Sequence, residues 1–143
     1  MNECKIITPK SKILTPNFEL RNHKFELFMF SGIVIKGKGI GKKLGFPTAN
    51  LDTTKDKINL QTGIYAAKVL LNQKKYHGTL VFQTEPLMIE AHLMDYKGPD
   101  FYGAVLKVKP IQKISEMVVV KTQKQLKEKI KKDIKKAKKF FAT

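Results

Sequence analysis

The stretch Gly63-Ile64-Tyr65-Ala66-Ala67-Lys68-Val69-Leu70-Leu71-Asn72-Gln73-Lys74-Lys75-Tyr76-His77-Gly78-Thr79-Leu80-Val81-Phe82 decides the fold. Residues 63–71 and 76–82 are rich in aliphatic, β-branched and aromatic side chains, and the polar cluster at 72–75 between them has turn composition. Two such runs about a short polar link predict a β-hairpin. Working outward, dense apolar residues over 25–36 predict an earlier strand that ends in a glycine-rich segment. Residues 88–96 and 102–108 predict two later strands, joined across the turn-forming Lys97-Gly98-Pro99-Asp100. The link 52–62 is polar and lacks a strong pattern. Five strands at short spacing, followed by a helix, predict a small, mainly antiparallel barrel or sandwich closed by that helix. A barrel is favoured because a small sheet must protect its edges.

The helix is read from 122–141. Thr122 followed by Gln125 is a capping-box pattern, and Leu126, Ile130, Ile134, Ala137 and Phe141 recur on one helical stripe. Lysines fill the opposite face. Residues 1–24, polar and containing Pro9 and Pro16, are expected to form an N-terminal arm, leaving 25–143 as one domain. A chain of 143 residues can bury a core sufficient for one such domain.

Hydrophobic content of 42% and charged content of 28% are those of a globular protein. No apolar run approaches the roughly 18 residues of a membrane span, and 1–15 lacks the apolar stretch of a secretory signal. A single cysteine, Cys4, excludes an internal disulfide framework and fits a reducing compartment. The expectation is a cytoplasmic monomer with no membrane partner. Net charge is +16, from 27 Lys, one Arg and 12 acidic residues, and residues 121–143 carry ten of the lysines. Such a charge attracts polyanions of any kind. Readers of bases and phosphates lean on the planar fork of Arg, and Arg21 is the only one, so no specific nucleic-acid partner is expected.

Two segments carry chemistry. In Gly37-Lys38-Gly39-Ile40-Gly41-Lys42-Lys43-Leu44-Gly45, four glycines and three lysines stand in nine residues, followed by Phe46-Pro47-Thr48-Ala49-Asn50. Glycine lets the backbone bend sharply and approach a ligand, and successive N–H groups in such a bend can cradle anionic oxygens. Thr48 and Asn50 offer oxygens of the kind Mg²⁺ accepts. The spacing is neither that of the Walker loop nor that of the dinucleotide fingerprint; a solvated turn and a phosphate loop both fit it. In the strand expected over 88–96, side chains alternate. Ile89, Ala91 and Leu93 face one way; Met88, Glu90, His92 and Met94 face the other. Glu90 is then either a partly desolvated carboxylate suited to general-base work or a residue of a wet outer face. His23 and His77 are isolated, and no spacing points to zinc.

These residues resemble the riboflavin kinase (flavokinase) family. The resemblance rests on Ser31-Gly32-Ile33-Val34-Ile35-Lys36-Gly37 continuing through Gly41 to Leu44-Gly45-Phe46-Pro47-Thr48-Ala49-Asn50-Leu51, on Thr62-Gly63-Ile64-Tyr65-Ala66, and on Ile89-Glu90-Ala91-His92-Leu93-Met94-Asp95-Tyr96 followed by Asp100-Phe101-Tyr102-Gly103. The terminal Leu126-x-x-x-Ile130-x-x-Asp133 is also similar to the family's ending, so the likeness spans roughly 31–137.

The resemblance implies a mainly β fold: a six-stranded, Greek-key-like antiparallel barrel with a C-terminal helix. It implies transfer of the γ-phosphate of ATP to the 5′-hydroxyl of riboflavin, giving FMN and ADP, with Mg²⁺ (or Mn²⁺ or Zn²⁺) as the metal. Gly37, Gly39, Gly41, Lys42, Gly45, Phe46, Pro47 and Thr48 would hold ATP and its phosphates, and Thr48 and Asn50 the metal. Glu90 would be the base. Tyr96, Asp100, Phe101 and Tyr102 would line the flavin side. The sequence departs from the family in two places. Phe82-Gln83-Thr84-Glu85-Pro86-Leu87 is shorter than the usual segment, and 111–120 has Lys113 and Ser115 but no arginine. The alternative they leave open is a non-catalytic flavin, nucleotide or basic nucleic-acid-binding barrel. Residues 1–30 are too few for the adenylyltransferase domain often fused to bacterial relatives, so no FAD synthesis is expected.

Overall fold

The structure, a computed structural model, describes residues 29–37, 47–53 and 58–142. Six strands, β1 (Phe30–Ile35), β2 (Thr48–Asp52), β3 (Gly63–Leu71), β4 (Lys74–Thr84), β5 (Leu87–Leu93) and β6 (Val105–Ser115), precede one helix, α1 (Gln123–Ala142). The strands close into an antiparallel barrel in the order β1-β2-β5-β4-β3-β6, with β6 pairing both β1 and β3. Closure gives every strand two neighbours, which meets the expectation of a six-stranded barrel with a terminal helix.

The hairpin from which the fold was read is β3–β4, in register from Gly63 opposite Phe82 to Leu71 opposite Lys74. Its link is tighter than the four residues expected. Only Asn72 and Gln73 lie between the strands, both at positive φ (51° and 68°), the backbone of a primed two-residue turn that matches strand twist. Alternate residues point inward. Val69, Leu80, Phe82, Leu106 and Val108 are the largest fully buried side chains, and Phe30, Val34, Leu51, Ile89 and Leu93 are among the residues that pack with them in the core.

The sequence pattern alone does not mark β2. Only Ala49 and Leu51 of this short strand face the core, so no apolar run announces it. The strand expected over 88–96 stops at Leu93, before Asp95 at φ 61°. That expected over 102–108 starts at Val105, after Gly103 at φ 86°, and runs on to Ser115. Residues 1–28, the expected arm included, lie outside the described residues.

α1 packs on the outside of the barrel. Ala66 and Met94 are buried against Ala137, with Ile134, Phe140 and Phe141 around them, and Phe141 stacks on His77 with ring centroids 3.8 Å apart. Buried Asp133 accepts a hydrogen bond from Lys129 at 3.0 Å, and Lys129 also donates to Ser115 of β6. The capping box forms. The N–H of Gln125 donates to Thr122 Oγ1 at 3.0 Å, and Gln125 Oε1 accepts from the N–H of Lys121 (2.8 Å) and of Thr122 (3.3 Å). Among the described residues no helix is long and apolar enough to cross a membrane.

Thr122→Ala removes the cap oxygen and is expected to cost about 1 kcal/mol, a fall of roughly 3 °C in Tm by calorimetry. Thr122→Asp, which restores an acceptor, is expected to keep the parental Tm.

Candidate active site

β2 and β5 are distant in sequence but adjacent in the barrel, and their register builds the site. Thr48 stands opposite His92, Ala49 opposite Ala91 and Asn50 opposite Glu90. Ala49 and Ala91, both fully buried, face the core. By strand alternation Thr48, Asn50, Glu90 and His92 share the outer face. Directly opposed residues in an antiparallel pair have Cβ atoms roughly 4.5–5.5 Å apart, so the Asn50 carboxamide and the Glu90 carboxylate are neighbours. On the far flank of β5, Thr79 is opposite His92 and Val81 opposite Glu90.

This outer face is only partly wet. His92 and Thr79 are each 2% exposed, and Met94 is 9% exposed. The Glu90 side chain keeps 23% of its surface, and its Oε1 lies 2.8 Å from His92 Nε2. Of the two environments open to Glu90 from the pattern, the structure gives an intermediate one: a carboxylate at the rim of a buried patch.

The glycine segment enters beside these residues. β1 runs antiparallel to β2 with Ile35 opposite Asn50. At Gly37 a Cβ would overlap the Asn50 carboxamide, so main chain and side chain touch where only glycine leaves room. At the segment's other end the Leu93 N–H donates to the Pro47 carbonyl at 3.1 Å, tying that exit to the end of β5. Gly37, Pro47, Thr48 and Asn50 are thereby brought together with Glu90. Gly39, Gly41, Lys42, Gly45 and Phe46 lie outside the described residues.

The aromatic turn sits at the same end of the barrel. The Val34 N–H donates to the Ala104 carbonyl and the Gly103 N–H to the Val34 carbonyl, at 2.9 and 2.8 Å, so this turn lies along β1 where the chain leads to Gly37. Tyr96 meets the rings of Phe101 and Tyr76 edge-on, at 5.1 and 5.6 Å, and donates to the Pro99 carbonyl. Tyr102 is 48% exposed and Asp100 is exposed. Outside the site, Lys109 is held below the usual lysine range by burial and then by nearby Lys68 and Lys75.

Thr48 and Asn50 supply a hydroxyl and an amide oxygen, neutral hard donors that suit Mg²⁺ when phosphate oxygens complete its shell. No group of three or more His, Cys, Asp or Glu able to hold a metal occurs among the described residues. Sequence reasoning placed His92 on this face but gave it no role. Its contact with Glu90 was foreshadowed by the spacing of two residues alone.

Thr48, Asn50 and Glu90 thus set a hydroxyl, a carboxamide and a carboxylate on one face of the β2–β5 ladder, beside Gly37. The comparisons name the family. The chain belongs to the riboflavin kinase (Flavokinase) family, whose model matches residues 25–141. It is 35% identical over 120 residues to a trifunctional protein RibF/MnmA of Mycoplasmoides gallisepticum, covering 80% of this chain and 18% of that relative. It is 34% identical over 151 residues to a bifunctional riboflavin kinase/FMN adenylyltransferase of Buchnera aphidicola, covering 92% of this chain and 48% of that relative. The chain thus spans less than half the length of either. The solved riboflavin kinase of Trypanosoma brucei superposes with a TM-score of 0.63 at 23% identity, over 80% of this chain and 77% of that one, which shows the shared fold.

Gly37→Ala is expected to leave the barrel folded, since the displaced atoms are the end of a side chain, and to turn the Asn50 amide aside. Affinity for Mg²⁺ with a non-hydrolysable ATP analogue, measured by calorimetry, should fall about tenfold, the equivalent of roughly 1.4 kcal/mol.

Proposed function

We propose that this chain is an ATP:riboflavin 5′-phosphotransferase, forming FMN and ADP. The observation that carries the reading is the placement of Glu90 directly opposite Asn50, with Thr48 on the same strand face. In phosphoryl transfer, most of the barrier is lowered by positioning and by cations on the phosphates. One carboxylate is enough to orient the attacking hydroxyl and take its proton.

Glu90 accepts the proton of the ribityl 5′-hydroxyl. As that O–H bond breaks, the oxygen forms its bond to the γ-phosphorus, and the bond to the β,γ-bridging oxygen breaks to release ADP. Thr48 and Asn50 would hold the Mg²⁺, with Mn²⁺ or Zn²⁺ as substitutes, and the cation would supply charge neutralisation on the phosphates. The glycine segment, Gly37 through Gly45 with Lys42, Phe46 and Pro47, cradles the triphosphate. The enzyme works as a cytoplasmic monomer and needs no nucleic acid.

With riboflavin, ATP and Mg²⁺, FMN should accumulate and be resolved from riboflavin by chromatography. Glu90→Gln keeps the shape and loses the base, and kcat is expected to fall by about 10²–10⁴. A Glu90→Gln protein turning over at the parental rate would remove the base from this scheme.

Tyr96, Asp100, Phe101 and Tyr102 form the flavin side of this reading, where an exposed ring can stack on the isoalloxazine. Their turn lies beside β1, on the way to Gly37, so the nucleotide is the competing occupant. Tyr102→Ala decides between them. A KM for riboflavin raised about tenfold, at unchanged KM for ATP, is the expected result for a stacking contact of roughly 1–1.5 kcal/mol; the reverse pattern would move the turn to the nucleotide.

A further inference from the structure

Resting on the reading of Glu90 as base, we propose that His92 is a positioning residue, whose imidazole fixes the Glu90 carboxylate by donating from Nε2 to Oε1. Side chains two apart on a strand emerge in parallel, roughly 6.5 Å from each other. Here Nε2 and Oε1 are 2.8 Å apart, so the two groups lean together along β5. The imidazole is flanked across the strands by Thr48 and Thr79, and Met94, just past the end of β5, belongs to the cluster under α1. With 3% of its side-chain surface exposed, against 23% for Glu90, the ring is fixed while the carboxylate it holds still reaches the open side.

The hydrogen-bond inventory selects the tautomer. A carboxylate only accepts, and a neutral imidazole donates from one nitrogen and accepts at the other. Nε2 therefore carries the hydrogen. Nδ1 is buried and has no hydrogen-bond partner among the described residues. A bare lone pair there is tolerable, whereas an N–H would be a buried donor without an acceptor. An apolar side chain would avoid this orphaned atom, and it would also leave Glu90 unheld. With Oε1 occupied by His92, Oε2 is the oxygen left to receive the hydroxyl proton. A glutamate free to sample rotamers would spend little time there, and misplacement of a reacting group by about 1 Å can cost 10²-fold in rate.

The test compares His92→Leu, which fills the volume without a donor, with His92→Gln, whose amide N–H can reach the place of Nε2. His92→Leu is expected to lower kcat about 10- to 100-fold with both KM values and Tm little changed, and His92→Gln to recover most of the loss. In the Glu90→Gln background, His92→Leu is expected to cost nothing further, because residues acting through one another are not additive. Long-range proton–nitrogen spectra of the unmodified protein should show His92 with a protonated Nε2 and a bare Nδ1, a readout that does not depend on activity or on any variant folding. A protonated Nδ1, a His92→Gln protein as slow as His92→Leu, or full additivity with Glu90→Gln overturns the positioning role while the base assignment stands. A Glu90→Gln protein at the parental rate overturns the base assignment, and the positioning role with it.

Discussion

The pairing of β2 with β5 is the constraint on which the molecule depends. Six ladders make a closed ring, and without the docking of Thr48–Asp52 on Leu87–Leu93 the wall would stand open at the site. That ladder is bought with sequence distance: its residues are far apart in the chain, so loop-closure entropy opposes it. Two fully buried alanines facing the core, Ala49 and Ala91, let the strands lie close against the packed interior. The same register that closes the wall sets Asn50 against Glu90 and Thr48 against His92. Fold and chemistry therefore share one set of main-chain hydrogen bonds.

Much of this was legible in the residues. The β3–β4 hairpin could be read because both strands carry long apolar runs about a polar turn, and α1 because its stripe and its Thr122–Gln125 cap follow helical geometry. The alternation of β5 placed Glu90 and His92 on one face. β2 was not legible by pattern, since it offers the core only Ala49 and Leu51; the resemblance supplied the sixth strand where periodicity could not. Nor could alternation foretell that the outer face of β5 is half-buried. Just past the end of that strand, α1 packs on the barrel from the far end of the chain and covers Met94 together with Ala66 of β3. The closeness of Gly37 to the Asn50 amide was equally invisible, because it depends on how β1 lies beside β2.

The charge of the chain plays a smaller part than its size suggests. The lysines of α1 lie on the face turned from the barrel, apart from Lys129, which bridges Ser115 and Asp133 at the helix interface. Around Glu90 the described neighbours offer a hydroxyl, a carboxamide, an imidazole and the apolar Val81.

One vacancy inside the wall has a bearing on what happens outside it. At Gly78 on β4 a methyl group would collide with the carbonyl oxygen of His92, so β5 can nestle there only because no side chain intervenes. Any bulk at this spot must push the main chain of β5 and, with it, the imidazole and the carboxylate beyond. Under the proposed function, tolerance to substitution at Gly78 is coupled to turnover, although the residue lines the inner side of the wall. A hydrogen atom in the lining acts as a spacer gauge for the reaction on the other side.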